Sequence, residues 1–273
     1  MKYKQNLHTH TTWCDGIDTP DEMIRAAIDK GFDSIGFSGH SCNKHSTYKA
    51  ITLETTQEYK KEIYSLKEKY KDQIDIFCGL EFEMLCEDDK SGWEYMIGSV
   101  HYLQKDGEVF TFDCDAKAVE DLIRRFFGGD GMEYAKCYYE HMARLPEYGK
   151  FDIIGHFDLI TKHADTHSFF DYNSPEYLGY AIGAMDALKG KIPFFEVNTG
   201  AISRGYRKTP YPMMNILREL KNYGFGAIIA SDCHDARALD CHFEECADML
   251  EACGFKEKYV LTENGFCAIG LRD

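Results

Sequence analysis

Short apolar runs alternate with longer amphipathic segments along this chain, and few folds accommodate that alternation. Residues 35–37 and 228–230 are typical of buried strands, whereas residues 55–70 carry apolar side chains at helical spacing among Lys and Glu. About seven repeats of strand followed by helix predict a parallel β/α barrel, with a doubly wound open sheet as the alternative. Because α/β barrels of about 250 residues form one domain, we expect residues 1–273 to form a single domain.

The predicted elements follow one another closely, without a linker or an internal repeat. Strands are expected at residues 4–7, 33–37, 74–78, 95–100, 152–155, 193–197, 227–230 and 258–261, the last of which closes the set. Helices are expected at residues 20–30 behind a Thr19 cap, 55–70, 116–148 with a break at 128–131, 175–189, 212–223 and 239–253.

Side chains that bind metals follow these apolar runs almost immediately. In a β/α barrel the carboxyl ends of the strands form one face, where active sites lie. We therefore expect one pocket to contain His8, His10, Asp15, His40, Glu81, His101, His156, Asp232 and His234. Residues two apart on a strand share a face, so His8 with His10, and Asp232 with His234, are each expected to bind one cation.

Nine such residues are too many for one tetrahedral ion, so two or three ions bridged by a carboxylate are expected. Imidazole and carboxylate ligands suit zinc, iron or manganese, and the sequence leaves the metal open.

Cys233 is expected to pack on the opposite face, and His141 to be solvated beside Glu140. A substrate contact by His163 or His167 is left open.

The ordered motifs of this chain resemble those of the PHP (polymerase and histidinol phosphatase) family, and specifically its histidinol-phosphatase branch. The motifs are His8-x-His10, Asp15 in Cys-Asp-Gly, Ser38-Gly39-His40, Gly79-Leu80-Glu81, Gly98-Ser99-Val100-His101, Gly155-His156-Phe157-Asp158-Leu159, Glu196-Val197-Asn198-Thr199-Gly200 and Ser231-Asp232-Cys233-His234. Together they cover nearly the whole chain. The resemblance implies a distorted (β/α)7 barrel of the PHP type with a trinuclear metal site.

The resemblance also implies a role for each ligand. His8, His10, Glu81 and Asp232 would bind one ion, and Glu81 would bridge it to a second ion that His101 and His156 complete. Asp15, His40 and His234 would bind the third. The sequence departs from the family at Cys233, where the family often has Ala, and its phosphate-binding segment is less regular than its metal motifs.

A short cationic loop follows the strand predicted at residues 193–197. Arg offers bidentate donors to phosphate oxygens, so we expect Arg204, and after it Arg207, to bind the phosphate of a substrate. The resemblance also places basic residues of this loop near phosphate. Lys162 is a further candidate, and Arg204 is expected to stay partly exposed while no substrate is bound.

These residues together predict metal-dependent hydrolysis of a phosphate monoester, most specifically histidinol phosphate in histidine biosynthesis. A hydroxide shared by two metal ions would attack phosphorus, and the catalytic set would be Glu81, Asp232, His234 and Arg204. A PHP-type phosphodiesterase or nucleotide-acting hydrolase is the alternative. Amidohydrolase-like and TatD-like barrels lack the set Asp15, His40 and His234, and a non-catalytic metal or redox module is disfavoured by irregularly spaced cysteines.

The charge and hydropathy of the chain limit its partners. With 31 basic and 46 acidic residues its formal net charge is −15, which disfavours long nucleic acid and an anionic membrane surface. No apolar run reaches the roughly 18 residues of a membrane span, and the polar N-terminus predicts no signal peptide. We expect a cytoplasmic protein with reduced cysteines and a small phosphorylated substrate, and leave a homo-oligomer open.

Overall fold

Parallel strands form a nearly closed barrel in the computed structural model of this chain, which describes residues 1–46, 48–86 and 89–273. The strands are β1 (Gln5–Asn6), β2 (Ser34–Phe37), β3 (Asp75–Glu83), β4 (Tyr95–Ser99), β5 (Tyr102–Lys105), β6 (Glu108–Thr111), β7 (Ile153–Ile154), β8 (Phe194–Asn198), β9 (Gly226–Ala230), β10 (Glu257–Thr262) and β11 (Gly265–Gly270). The helices are α1 (Pro20–Asp29), α2 (Thr56–Tyr70), α3 (Ala116–Phe127), α4 (Gly131–Ala143), α5 (Leu145–Tyr148), α6 (Pro175–Leu188), α7 (Gly200–Ser203), α8 (Met214–Tyr223) and α9 (Phe243–Ala252).

Seven of these strands build the barrel, hydrogen bonded in parallel in the order β1-β2-β3-β4-β7-β8-β9. The two edges meet just beyond their strands, where Thr9 forms a parallel bridge with Cys233 and the His10 amide donates to the Cys233 carbonyl at 2.9 Å. The predicted distorted seven-stranded barrel is thus confirmed, and the open doubly wound sheet is wrong.

Local sequence explains where several helices begin and end. Thr19 and Glu22 form a reciprocal capping box at the start of α1, with Pro20 as its first residue. The predicted break between α3 and α4 lies at Gly128 and Gly129, whose φ angles of 61° and 87° favour glycine.

None of the helices in the described part of the chain combines the length and apolar character of a membrane crossing.

A buried tyrosine fills part of the barrel interior. The Tyr95 ring lies so close to two strands that a Cβ at Gly79 would lie 2.4 Å from it, and one at Gly36 would lie 2.4 Å from its hydroxyl. That hydroxyl donates to the Leu7 carbonyl, which directly precedes His8. Glycine at these two positions therefore lets one ring support the backbone below the first metal motif.

Three predicted elements need correction. Strand β10 lies outside the barrel sheet and pairs in antiparallel fashion with β11, because Thr9 and Cys233 already join the barrel edges. Helix α9 begins at Phe243 rather than at residue 239, since residues 236–238 form a 3-10 turn and His242 has a φ of 54°. Strand β3 continues past residue 78 to Glu83, so Glu81 lies within a strand.

His141 was expected to be solvated, and that prediction is wrong. Its side chain is buried on α4, where Nδ1 donates to the Cys137 carbonyl at 2.8 Å and Nε2 accepts from the Gln104 amide at 3.0 Å. The Gln104 amide belongs to the β5–β6 hairpin, which the sequence analysis did not identify. The imidazole is buried because it joins this hairpin to α4.

Candidate metal centre

The carboxyl ends of the barrel strands surround a cavity of about 200 Å³. Its wall is formed by Asp15, His40, Tyr48, His101, Asp113, His156, Leu159, Lys162, Arg204, Tyr206, Asp232 and His234. His8, His10 and Glu81 lie beneath this wall, with at most 1% of each side chain exposed. The structure therefore brings all nine predicted metal-binding residues to one end of the barrel.

The deepest of these donors form the first group. His10 Nε2 lies 3.1 Å from Asp232 Oδ1, and His8 Nε2 lies 3.3 Å from Glu81 Oε2 and 3.6 Å from Asp232 Oδ1. Glu81 Oε2 is also 3.7 Å from His10 Nε2. Two imidazoles and two carboxylates thus point their donor atoms at one small volume.

The other oxygen of Glu81 belongs to a second group. Oε1 lies 3.0 Å from His156 Nε2 and 3.4 Å from His101 Nε2, and those two nitrogens are 3.1 Å apart. The Ser99 hydroxyl donates to the same oxygen at 2.7 Å. Glu81 therefore lies between two sets of imidazoles, with one oxygen directed at each, and its Oε2 is also 2.7 Å from His40 Nδ1.

Asp15, His40 and His234 form a third group nearer the cavity mouth. Asp15 Oδ2 lies 3.2 Å from His234 Nε2, and Oδ1 lies 3.6 Å from both His40 Nε2 and His10 Nδ1. Asp232 and His234, expected to share a cation, fall into different groups among the described residues. The φ of 48° at Asp232 turns the backbone out of the extended form in which the pair would share a face.

The spacing and chemistry of these donors fit divalent transition metals. In a tetrahedral site with bonds of about 2.0–2.2 Å, ligand atoms lie roughly 3.3–3.6 Å apart, and the nine side chains are spaced similarly. Two buried nitrogens, His8 Nε2 and His10 Nε2, make no hydrogen bond within the described residues, whereas Glu81 Oε2 lies 2.7 Å from His40 Nδ1. Buried polar atoms are rarely left without a partner, so these two nitrogens support a bound cation.

Burial and neighbouring charges together set the protonation of these donors. Burial, with the nearby imidazoles of His234 and His40, lowers the pKa of His10 to about 3, which leaves its lone pairs available at neutral pH. Burial alone would raise the pKa of Glu81, but His8 and His40 outweigh it and hold that pKa well below its ordinary value. Burial would lower the pKa of His40, but Glu81 and Asp15 outweigh it and raise that pKa to about 9. Because neutral imidazole and ionised carboxylate are the forms that bind metal, His40 must release a proton when it binds an ion.

Two buried glutamates orient the imidazoles, a role that was not predicted from the sequence, although Glu196 begins one of the ordered motifs. Glu196 Oε2 lies 2.8 Å from His8 Nδ1, and Glu83 Oε2 lies 3.0 Å from His101 Nδ1. Each carboxylate accepts the Nδ1 proton and so leaves Nε2 free to bind metal. Each of these glutamates lies within an apolar strand sequence. Because a buried charge needs a partner, this pattern indicates a buried interaction but does not identify the partner.

Replacing Glu196 by Gln is expected to weaken metal binding by about 10-fold to 100-fold. A neutral amide stabilises the donating Nδ1–H of His8 less than a carboxylate does, and it must also accept from the His156 amide, 2.7 Å from Glu196 Oε1. Titration of metal-free protein with Zn²⁺ measures the affinity. Glu257→Gln, an exposed change on β10, is the control, and unchanged affinity in Glu196→Gln would contradict this role.

The three predicted phosphate contacts differ in position. Arg204 lines the cavity with 34% of its side chain exposed, and its Nη2 donates to Asp232 Oδ2 at 3.1 Å. Lys162 also lines it and pairs with Asp113 at 2.7 Å. Arg207 lies apart from the described cavity wall, buried, with Nη1 donating to Thr161 Oγ1 at 2.6 Å. A phosphate contact by Arg207 would need this buried side chain to move.

The remaining polar side chains of interest lie outside the cavity wall. His163 is buried with Nε2 2.9 Å from the Cys114 carbonyl, and His167 lines a separate surface cavity beside Phe169. Cys233 is fully buried against Asn6, as expected of a packing residue, and burial raises the pKa of its thiol to about 12.

Comparison with known proteins finds one family model, the PHP domain, which matches residues 6–200. A "Probable histidinol-phosphatase" of Deinococcus radiodurans is 28% identical and covers 90% of this chain and 92% of that relative. The histidinol-phosphatase of Bacillus subtilis is 26% identical, and the match covers 92% of this chain and 99% of that relative. One similar solved structure is a histidinol phosphate phosphatase from Lactococcus lactis subsp. lactis, complexed with zinc, L-histidinol and phosphate. Its TM-score is 0.72 at 20% identity, and the match covers 97% of this chain and 98% of that chain.

Proposed function

The chain belongs to the PHP domain family, and on that premise we propose that it is a metal-dependent phosphatase acting on histidinol phosphate. One observation carries the proposal: three groups of metal-binding side chains, two of them joined by Glu81, lie beside the guanidinium of Arg204 at one cavity. The names of the two curated relatives support the choice of substrate. The proposal includes a single domain of residues 1–273 and a cytoplasmic location.

Three divalent ions, zinc, iron or manganese, are the cofactors in this proposal. The residues that would hold them are His8, His10, Asp232 and Glu81 for the first, Glu81, His101 and His156 for the second, and Asp15, His40 and His234 for the third. Bound divalent ions lower the pKa of water to near neutrality and offset the negative charge of a phosphoryl group.

The protein's own side chains prepare the site for that chemistry. Glu196 and Glu83 fix the imidazole tautomers of His8 and His101, so that Nε2 is the free atom. Arg204 supplies N–H donors for the non-bridging oxygens of a phosphate dianion. Lys162 is the second cation on the cavity wall and the next candidate phosphate contact.

The size of the cavity and the net charge of the chain favour a small phosphate ester over a nucleic acid. Its volume of about 200 Å³ lies below the roughly 300–1,000 Å³ typical of pockets for drug-sized ligands. A net charge of −15 repels a polyanion, whereas a single phosphate is attracted by a local guanidinium and metal ions. These features count against a long nucleic acid as substrate, and a phosphodiesterase of the same family that acts on small substrates remains the alternative.

Removing metal is expected to lower hydrolysis of histidinol phosphate by at least about 100-fold, because a phosphate ester needs an activated water and charge neutralisation. Protein dialysed against a chelator is assayed for phosphate release before and after Zn²⁺, Mn²⁺ or Fe²⁺ is restored, with bis(p-nitrophenyl) phosphate as the diester control. Full activity of the metal-free protein would contradict the proposal. Faster cleavage of the diester would favour the phosphodiesterase.

A further inference from the structure

One carboxylate on the cavity wall belongs to none of the groups of metal-binding residues. Asp113 follows strand β6 and lines the cavity near Lys162 and Tyr206. The other two carboxylates of the described wall, Asp15 and Asp232, lie among imidazoles in those groups. Asp113 therefore places a negative charge on a part of the wall that the metal-binding residues leave unused.

Asp113 retains the capacity to bind a further cation. Lys162 Nζ donates to Oδ1 at 2.7 Å, while Oδ2 makes no hydrogen bond within residues 1–46, 48–86 and 89–273. A carboxylate accepts up to about four hydrogen bonds, and 35% of this side chain is exposed. Burial would raise the pKa of Asp113, but Lys162 and His101 outweigh it and lower that pKa. The side chain is therefore ionised at neutral pH.

Aromatic rings flank the same part of the wall. Tyr206 lies with its ring centroid 4.3 Å from Lys162 Nζ and is 37% exposed, and the Tyr48 ring also lines the cavity. The face of an aromatic ring attracts an ammonium group. The ammonium group of Lys162 already lies over the Tyr206 ring, so the free oxygen of Asp113 and the Tyr48 ring are the features that can receive an organic cation.

We infer that Asp113 selects phosphomonoesters whose leaving alcohol carries a protonated amine. The phosphate dianion occupies the end formed by Arg204 and the metal-binding residues, and the ammonium group lies against Asp113. The inference rests on the proposed function and adds the part of the substrate that distinguishes it from other monoesters. Histidinol phosphate belongs to this class.

A second role for Asp113 predicts a different outcome. If the carboxylate only held Lys162 in place for the phosphate, its loss would affect every phosphomonoester equally. If it binds the substrate amine, its loss would affect only substrates that carry one. Two substrates that differ in the amine alone therefore separate the two roles.

The experiment compares histidinol phosphate with its deaminated analogue, 3-(imidazol-4-yl)propyl phosphate, in zinc-loaded protein. Asp113→Asn is expected to lower kcat/KM for histidinol phosphate by about 10-fold to 100-fold, mainly through KM, since a bond to a charged group is lost. Hydrolysis of the analogue should change by less than about 2-fold, which also shows that the variant is folded. Asp115→Asn is the control, because Asp115 caps α3 through Ala118 and Asn caps equally well.

Each remaining outcome overturns the inference. Equal losses on both substrates, reproduced by Lys162→Met, would make Asp113 a positioning residue for Lys162. No loss on either substrate would leave Asp113 without a role in recognition. If wild-type protein hydrolyses neither monoester while Glu196→Gln still weakens zinc binding, the proposed function fails and the inference fails with it.

Discussion

Replacing Glu81 by Gln is expected to release at least one metal ion and to lower kcat by roughly 1,000-fold or more. The two oxygens of Glu81 face two different groups of imidazoles, with Oε2 3.3 Å from His8 Nε2 and Oε1 3.0 Å from His156 Nε2. A single carboxylate between two cations offsets their mutual repulsion. Gln keeps the shape but is neutral, and its amide nitrogen cannot bind a metal.

Elemental analysis of gently purified protein and steady-state kinetics on one monoester measure the two effects. The fall in kcat should exceed the change in KM, because Glu81 is buried beneath the cavity wall and we expect it to act through the metal ions rather than by contact with substrate. Glu263→Gln, an exposed change in the β10–β11 turn, is the matched control. Normal metal content together with a normal rate would show that Glu81 bridges nothing.

The positions of the nine candidate metal-binding residues could be predicted from sequence because strand ends are visible as apolar runs. The β/α alternation alone is enough to place a His that follows residues 97–100 or 153–155 at the carboxyl ends of the barrel strands, where active sites lie. The family model ends at residue 200, so Asp232 and His234 lie beyond it. They reach the centre because Thr9 and Cys233 join the first and last barrel strands.

The interactions that orient these residues could not be predicted, because they depend on contacts between distant strands. Glu196 on β8 reaches His8 after β1, 188 residues earlier in the chain, and no local pattern records that pairing. His141 is buried for the same reason, since a hairpin that the periodicity did not reveal covers its side of α4. The pairing of Asp232 with His234 was predicted for an extended backbone. The left-handed backbone at Asp232 instead leaves its Oδ1 4.0 Å from His234 Nδ1.

Replacing Arg204 by Ala is expected to lower kcat/KM for a phosphomonoester by about 30-fold to 1,000-fold, or roughly 2–4 kcal/mol. Its Nη1 donates to the Asp232 carbonyl at 2.9 Å and lies 3.1 Å from His234 Nδ1. His234 Nδ1 is also 3.2 Å from the Asp232 carbonyl. If His234 binds metal through Nε2, its Nδ1 carries the proton and donates to that carbonyl, which frees an Nη1 hydrogen of Arg204 for phosphate.

Arg204→Lys should recover only part of the rate, because an ammonium group lacks the bidentate fork of a guanidinium. The comparison uses steady-state kinetics of wild type, Arg204→Ala and Arg204→Lys on one monoester and one diester, with metal content measured for each. Unchanged metal with a larger loss on the monoester supports binding of the phosphate dianion. Because Arg204 also pairs with Asp232, a fall in metal content with equal losses on both esters would instead make Arg204 a positioning residue for that ligand.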